Sequence, residues 1–200
     1  MIIRRIPAGI YAANCYIVAS DITKDALVLD PGGDEDFIIK EIEKQGYNIK
    51  AILLTHGHVD HVGAVKALAE KYKVKIYLNE KDLTLMKKGT YIYGDIGSVE
   101  VLNIKDMDTY SFGDIKVLCI GTPGHTPGGM SFLIEKNIFT GDTLFKGSIG
   151  RTDLEGGDYH TLINSIIEKL MPLDNEIVVY PGHGPSTTVH QERYTNPFIN

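Results

Sequence analysis

The sequence predicts an α/β protein in which short strands and helices alternate along the chain. In the first half, β-type apolar runs are followed by segments with helical spacing, which gives a β-α-β-α order. Several predicted strands in both halves end in a glycine-rich turn with a polar residue, as in open sheets that carry a site at one edge. The composition, with 43% hydrophobic and 23% charged residues, is globular, and we expect a single domain over residues 1–200.

The first half contains four predicted strands and two predicted helices. The strands cover residues 2–6, 15–20, 26–30 and 49–54, and the helices cover residues 34–46 and about 61–72. Asp34 is a suitable residue to open the first helix, and Gly46 is a suitable residue to end it. The turn Pro31-Gly32-Gly33 separates this helix from the preceding strand.

The second half is richer in strands. Predicted strands cover residues 99–103, 109–112, 116–121, 130–135, 137–140 and 176–180. One helix is predicted at about residues 159–170, because Leu162, Ile163, Ile166, Ile167 and Leu170 recur at helical spacing.

A dense group of potential metal ligands follows the predicted strand at residues 49–54. The motif is His56-x-His58-x-Asp60-His61, and Gly57 lets the backbone turn sharply between two imidazoles. Further candidate ligands, His125, Asp142 and His183, follow later strands in glycine-containing turns. The other two histidines, His160 and His190, lie elsewhere and are interpreted as structural or exposed.

Together these turns offer seven ligands, which is too many for one tetrahedral ion and suits two ions with one bridging carboxylate. All seven are imidazoles or carboxylates. This set favours two divalent cations, zinc first, with iron or manganese as alternatives, and it disfavours a structural cysteine-type zinc site. Cys15 and Cys119 lie in apolar strand-like runs and are interpreted as buried small hydrophobic residues.

The motif and the later ligands resemble the metallo-β-lactamase superfamily. This resemblance implies an αββα sandwich of two mixed sheets flanked by helices, with the metal site at one edge. It further implies that His56, His58 and His125 hold one metal ion. Asp60, His61 and His183 would hold the other, with Asp142 between the two ions. Asp30, at the end of an early strand, would support the ligand loops, although an Asp-Pro-Gly turn also has a structural interpretation.

Within the superfamily, the chain most resembles glyoxalase II-like hydrolases (hydroxyacylglutathione hydrolases). The supporting segments are Ala13-Asn14-Cys15-Tyr16, residues 122–129, residues 141–145, Gly150-Arg151-Thr152-Asp153 and residues 181–185. Glyoxalase II proper carries a C-terminal helical domain that helps to bind glutathione. Here about seventeen residues follow His183, so the resemblance is to a hydrolase without that domain.

The predicted function is a metal-dependent hydrolase, a thioesterase in which a hydroxide bound by two metal ions attacks a thioester or related acyl carbonyl. Asp60 is the ligand to which we also assign a catalytic role, because its carboxylate can orient or deprotonate the nucleophile. Arg151 and Lys146 follow Asp142 in a glycine-rich loop and are candidates to hold a substrate carboxylate. A solvated loop cation or a structural ion pair is an equally good interpretation of each.

Three other functions fit parts of the sequence. A persulfide dioxygenase-like oxidoreductase would use one iron held by His56, His125 and Asp142. A nuclease of the ribonuclease Z kind would need insertions that grip RNA, and the compact acidic chain shows none. A non-catalytic binding module would be expected to have lost a ligand, whereas every family position is filled.

Charge and hydropathy restrict partners and location. The net charge of −6 argues against nucleic acid and leaves a small-molecule anionic acyl or thioester substrate as the expected partner. The start of the chain lacks the apolar stretch of a signal peptide, and no run reaches the roughly 18 residues needed to cross a bilayer. We therefore expect a cytoplasmic protein without a membrane partner, either a monomer or a small homo-oligomer.

Overall fold

A computed structural model describes residues 1–199 of the chain, which form two six-stranded mixed sheets. The first sheet has the strand order β1-β2-β3-β4-β5-β6, with two antiparallel pairs followed by three parallel ones. Its strands are β1 Ile2–Ala8, β2 Ala13–Ala19, β3 Asp25–Leu29, β4 Asn48–Leu53, β5 Ile76–Leu78 and β6 Val101–Asn103.

The second sheet has the order β14-β13-β10-β9-β8-β7, in which only the pair β10 and β13 is parallel. Its strands are β7 Thr109–Phe112, β8 Ile115–Gly121, β9 Met130–Ile134, β10 Asn137–Gly141, β13 Val178–Pro181 and β14 Thr187–Thr188. A separate hairpin is formed by β11 Leu144–Phe145 and β12 Ser148–Ile149.

Six α-helices lie around the sheets. They are α1 Glu35–Gln45, α2 Val59–Val62, α3 Val65–Tyr72, α4 Glu80–Lys88, α5 Tyr159–Ser165 and α6 Val189–Thr195, and a π-helical segment Ile166–Leu170 continues α5. In the described part of the chain, no helix combines the length and apolar character needed to span a bilayer.

The two sheets face each other, and successive side chains along a strand point into two different apolar layers. In β3, Ala26 and Val28 join the layer under α1 and α3, whereas Leu27 and Leu29 point between the sheets. A third layer lies between the second sheet and the helical segments α5, Ile166–Leu170 and α6. The predicted αββα sandwich is therefore confirmed.

Some predicted elements differ in the structure. The helix predicted at residues 61–72 is two helices, because the Ala64 N–H donates to Pro31 O at 2.9 Å between them. A Cβ on Gly63 would lie 2.5 Å from Gly32 O, so the chain passes this turn without a side chain. The helix predicted at residues 159–170 is α-helical only to Ser165. Elements that were not predicted are β5, α4, the β11–β12 hairpin, β14 and α6.

The apolar layer between the sheets supports the whole sandwich, which a core truncation can test. Phe132 is fully buried in this layer, so Phe132→Ala should lower the free energy of unfolding by about 3–5 kcal/mol. Phe37, on α1, is 53% exposed, and Phe37→Ala should cost under about 1 kcal/mol. Urea unfolding of both variants measures the difference, and equal losses would contradict this description of the core.

Candidate metal centre

All seven predicted ligands lie on segments that follow strand ends at one edge of the sandwich, and two of them, Asp60 and His61, lie in the short helix α2. The motif at residues 56–61 follows β4, and His125 follows β8. Asp142 follows β10, and His183 follows β13. Stiff buried strands therefore present side chains from both sheets to a common point. The structure brings together ligand atoms within 4.8 Å of one another in three overlapping groups, each of which could hold a metal ion.

The first group consists of His56, His58 and His125, which are all buried. His125 Nε2 lies 2.9 Å from His58 Nδ1. His125 Nδ1 lies 2.7 Å from the Arg151 carbonyl, which can only accept, so Nδ1–H donates and Nε2 keeps its lone pair towards the group.

The second group consists of Asp60, His61 and His183. His183 Nε2 lies 3.2 Å from Asp60 Oδ2, and His61 Nε2 lies 3.8 Å from the same oxygen. His183 sits on a loop held by the start of the chain: the Asn14 side-chain amide donates to Pro181 O and Gly184 O, both at 2.9 Å.

Asp142 lies between the two groups. Its Oδ1 is 3.5 Å from His61 Nε2, and its Oδ2 is 3.7 Å from both His125 Nε2 and His183 Nε2. Asp142 also forms the third group of potential ligands with His56 and His61. Its carboxylate is thus placed to contact ions in both groups.

The unsatisfied polar atoms of the cluster fit bound metal ions. The buried atoms without a hydrogen-bond partner include His56 Nε2, His58 Nε2, His61 Nε2 and Asp142 Oδ1. Leaving such atoms unpaired is costly, and divalent cations would satisfy imidazole nitrogens and carboxylate oxygens together.

Charge states within the cluster differ between the two groups. Burial lowers the pKa of His56 and His58, the latter to about 3, so both imidazoles are neutral. Burial also opposes charge on His61, but the carboxylates of Asp142, Asp30 and Asp60 outweigh it and raise the pKa of His61 to about 9. For Asp60, burial opposes ionisation, yet His183 and His61 lower its pKa to about 2.

Asp30 supports the ligand loops, which is one of the two roles that the sequence suggested for it. Its carboxylate accepts from the Thr55 N–H at 2.8 Å and the Thr55 hydroxyl at 2.6 Å, and His61 Nδ1 lies 3.2 Å away. Because the Thr55 hydroxyl donates to Asp30, His56 Nδ1–H donates to Thr55 Oγ1 at 3.0 Å. Asp30 therefore directs the Nε2 atoms of His56 and His61 into the centre.

Asp82, which the sequence interpretation did not select, is a second buried carboxylate beside the cluster. It lies on α4 and accepts from the Gly57 N–H at 2.9 Å and the Gly128 N–H at 2.7 Å. Its sequence context is a polar helix, which gives no sign that this residue is buried.

Above the centre is an open cleft of about 520 Å³. It is lined by the ligands His58, Asp60, His125, Asp142 and His183, and by Tyr11, Val59, Tyr91, Ile92, Arg151 and Leu154. The sequence places Tyr91 in a plausible loop over the cleft, but the predicted site does not include it, because aromatic residues in such loops are more often packed; it is 90% exposed in the structure. Tyr11 and Leu154 were not selected, because single loop residues carry no sequence pattern. His160 and His190 are exposed, in agreement with their interpretation as structural or exposed residues.

The two cations proposed for substrate binding differ in position. Arg151 lines the cleft, but its guanidinium pairs with Asp153 through Nε at 2.7 Å and Nη2 at 2.8 Å. Lys146 is exposed in the turn of the β11–β12 hairpin, and the described residues that line the cleft do not include it. The structural ion pair is thus the observed state of Arg151, and the assignment of either cation to a substrate carboxylate stays a prediction.

An αββα sandwich with clustered histidines and aspartates at one edge defines a metallo-hydrolase class of protein. The sequence model for the Metallo-beta-lactamase superfamily matches residues 8–183. The chain belongs to this superfamily, which binds divalent metals.

Relatives extend this comparison along the whole chain. Hydroxyacylglutathione hydrolase GloC of Haemophilus influenzae is 40% identical, with 100% of this chain and 99% of the relative covered. The solved structure of the BLEG-1 B3 metallo-beta-lactamase has a TM-score of 0.88 and 36% identity, and each chain is 100% covered.

Two further solved structures are similar to this chain. ETHE1 from Myxococcus xanthus has a TM-score of 0.84 and 26% identity, covering 98% of this chain and 84% of its own. A protein solved in a di-iron-bound form, TTHA1623, has a TM-score of 0.86 and 33% identity, covering 98% and 99%.

The raised pKa of His61 makes metal binding pH-dependent. In the metal-free protein His61 is protonated at pH 7, and a metal ion must displace that proton. Zinc binding should therefore release protons at pH 7, and affinity should rise, by up to roughly tenfold per pH unit, until the pH exceeds about 9. Calorimetric titrations in two buffers of different ionisation enthalpy measure the protons released.

The exposed His160 provides a control, since His160→Ala should leave the number of released protons unchanged. Equal heats in both buffers at pH 7 would contradict the charge state of His61.

Proposed function

We propose that this protein is a glyoxalase II-like thioesterase that binds two divalent metal ions, zinc first, and cleaves a small-molecule thioester or related acyl compound. The observation that carries the proposal is the pair of ligand groups, His56-His58-His125 and Asp60-His61-His183, with Asp142 between them. Two adjacent ions are the arrangement that suits hydrolysis of an acyl bond. The likeness to hydroxyacylglutathione hydrolase GloC supports the same activity.

When bound, the metal ions would supply a water of lowered pKa and positive charge for the developing oxyanion. The chain's own residues set the geometry. His56, His58 and His125 would hold one ion, and Asp60, His61 and His183 would hold the other. The Nδ1–H atoms of His56, His61 and His125 are each held by an outer oxygen, which fixes the ring orientations before any ligand arrives.

Asp60 faces the cleft and is the proposed catalytic residue among the ligands. With a pKa of about 2 it is fully ionised at neutral pH, so it accepts hydrogen bonds strongly but is a weak base. We therefore assign Asp60 to orienting the attacking water. His183, whose pKa is raised by its hydrogen bond to Asp60, is the neighbouring group that can carry a proton in the metal-free state.

The net charge of −6 supports a small-molecule partner over nucleic acid. Cys15 and Cys119 are free and buried, and burial raises the pKa of both thiols, so they are inert hydrophobic residues suited to the reducing cytoplasm where we propose that the protein works. We propose a monomer or small homo-oligomer without a membrane partner.

A second candidate is a persulfide dioxygenase-like oxidoreductase with one iron held by His56, His125 and Asp142. The likeness to ETHE1 from Myxococcus xanthus fits this alternative. The di-iron-bound TTHA1623 supports iron as an alternative metal for two ions.

Metal content and turnover test the proposal together. Protein purified without added metal should contain nearly two metal ions per chain by elemental analysis and should hydrolyse S-lactoylglutathione or a simpler thioester. A single iron per chain, with oxygen uptake on glutathione persulfide and no thioester turnover, would instead establish the dioxygenase. A β-lactam in the substrate panel tests the activity that the likeness to BLEG-1 suggests.

Asp142→Ala is the control for contaminating enzymes, because the change removes the carboxylate between the two ligand groups. Turnover that survives this substitution would not belong to the proposed centre.

A further inference from the structure

An apolar rim surrounds the cleft above the ligand groups. It is contributed by four separate segments and consists of Tyr11, Val59, Tyr91, Ile92 and Leu154. Tyr91 is 90% exposed, Tyr11 is 62% exposed and Val59 is 43% exposed. Apolar side chains that are grouped around one cleft mark a ligand-binding surface, whereas scattered ones need no explanation.

Charge in the cleft is unfavourable for an anionic substrate arm. Among the described lining residues, Arg151 is the only lysine or arginine. The Nε and Nη2 atoms of its guanidinium donate to the two carboxylate oxygens of Asp153, so the pair together carries little net charge. A carboxylate on the substrate would compete with Asp153 for this guanidinium, whereas an apolar group meets a surface that already favours it.

We propose that the substrate carries a neutral apolar group, aromatic or branched aliphatic, beside the scissile carbonyl, and that this group packs against Tyr91 and Tyr11. This inference rests on the proposed thioesterase function and narrows its substrate class. A neutral apolar group replaces the substrate carboxylate expected from the sequence, because Arg151 is paired with Asp153 and Lys146 is not among the residues that line the cleft. The two tyrosine rings bury apolar area without a large entropic cost, since each has few rotatable bonds.

Three thioesters distinguish these substrate classes. The S-phenylacetyl and S-acetyl esters of N-acetylcysteamine are neutral and differ in apolar area, whereas S-lactoylglutathione is polar and anionic. We expect kcat/KM for the phenylacetyl ester to exceed that of both others at least tenfold. Tyr91→Ala should reduce the ratio of phenylacetyl to acetyl kcat/KM about tenfold, and Tyr194→Ala, an exposed tyrosine on α6, should leave that ratio unchanged.

Binding separates this inference from the proposed function. Phenylacetate and acetate are titrated into metal-loaded protein by calorimetry, and phenylacetate should bind at least tenfold more tightly, an advantage that Tyr91→Ala removes. This preference without any thioester turnover would reject the thioesterase and keep the apolar rim. A preference for S-lactoylglutathione, or equal binding of the two acids, would overturn the inference.

A different observation concerns Asp82, whose carboxylate is fully buried between two ligand loops. Asp82 accepts hydrogen bonds from the N–H groups of Gly57 and Gly128. Gly57 lies between His56 and His58, and Gly128 lies three residues after His125. A Cβ on Gly128 would lie 2.6 Å from Asp82 Oδ1, which shows how closely the second loop meets the carboxylate. One side chain thus links the loop that carries His56 and His58 to the loop that carries His125.

The geometry points to Asp82 as a positioning residue for the His56-His58-His125 group. Each oxygen of the Asp82 side chain accepts from one loop, whereas an amide of the same shape would turn an NH2 group towards one backbone N–H. Among the described contacts, Asp82 accepts no hydrogen bond from the Asp60-His61-His183 group. Loss of the carboxylate should therefore weaken one half of the two-ion centre that we propose.

Cobalt titration of Asp82→Asn tests this role, because the visible spectrum of Co²⁺ reports its ligand geometry. Wild type should retain two cobalt ions per chain after dialysis, and the variant should retain one, with the spectrum of the remaining ion preserved. Gly128→Ala pushes the His125 loop from Asp82 and should give the same loss even if Asp82→Asn folds poorly.

Asp36→Asn, an exposed carboxylate on α1, is the matched control and should retain both ions. Circular dichroism of the metal-free variants separates a folding defect from a local one. Two cobalt ions with an unchanged spectrum in both Asp82→Asn and Gly128→Ala would overturn the role of Asp82.

Discussion

The candidate metal centre depends on buried carboxylates whose hydrogen bonds orient the ligand residues. With a φ of 47°, Asp30 adopts the left-handed conformation that aspartate tolerates better than most residues. From there it accepts from the Thr55 N–H and hydroxyl, and it meets His61 Nδ1. A buried carboxylate is costly unless it is this well satisfied, so the hydrogen bonds that stabilise Asp30 are also those that orient the imidazoles.

The family resemblance implied the sandwich, and the sequence pattern predicted the clustering of the candidate ligands better than their surroundings. Strand ends followed by glycine and histidine are local signals, and the sheets bring those ends to one edge regardless of where each element begins. Helix α4 was not predicted, because its turns carry charged residues and only Asp82 and Met86 are buried. The contacts of Asp82 with Gly57 and Gly128 are non-local, so no periodicity within α4 could predict them.

The floor and the rim of the cleft have different physical origins. The floor is built from side chains at the ends of buried strands, whose positions are fixed by two packed sheets. The rim is built from loop residues such as Tyr11 and Tyr91, which lie outside regular elements. Because loops tolerate substitution better than strands, substrate preference can differ between relatives that share one reaction. The likeness to proteins described as a hydroxyacylglutathione hydrolase and as a B3 metallo-beta-lactamase is understandable on this basis.

Because Asn14 anchors the His183 loop, the candidate metal centre is completed late during synthesis of the chain. These contacts join residues 167 and 170 positions apart, and the Tyr16 hydroxyl adds a third bond to Pro181 O across 165 positions. During synthesis, the first sheet can form its strands while the ribosome is still adding the second. The second ligand group, by contrast, is incomplete until His183 has left the ribosomal tunnel. A translating chain therefore presents five of the seven candidate ligands, from His56 to His125, before Asp142 and His183 are made, and the nascent protein passes through a stage with an incomplete centre.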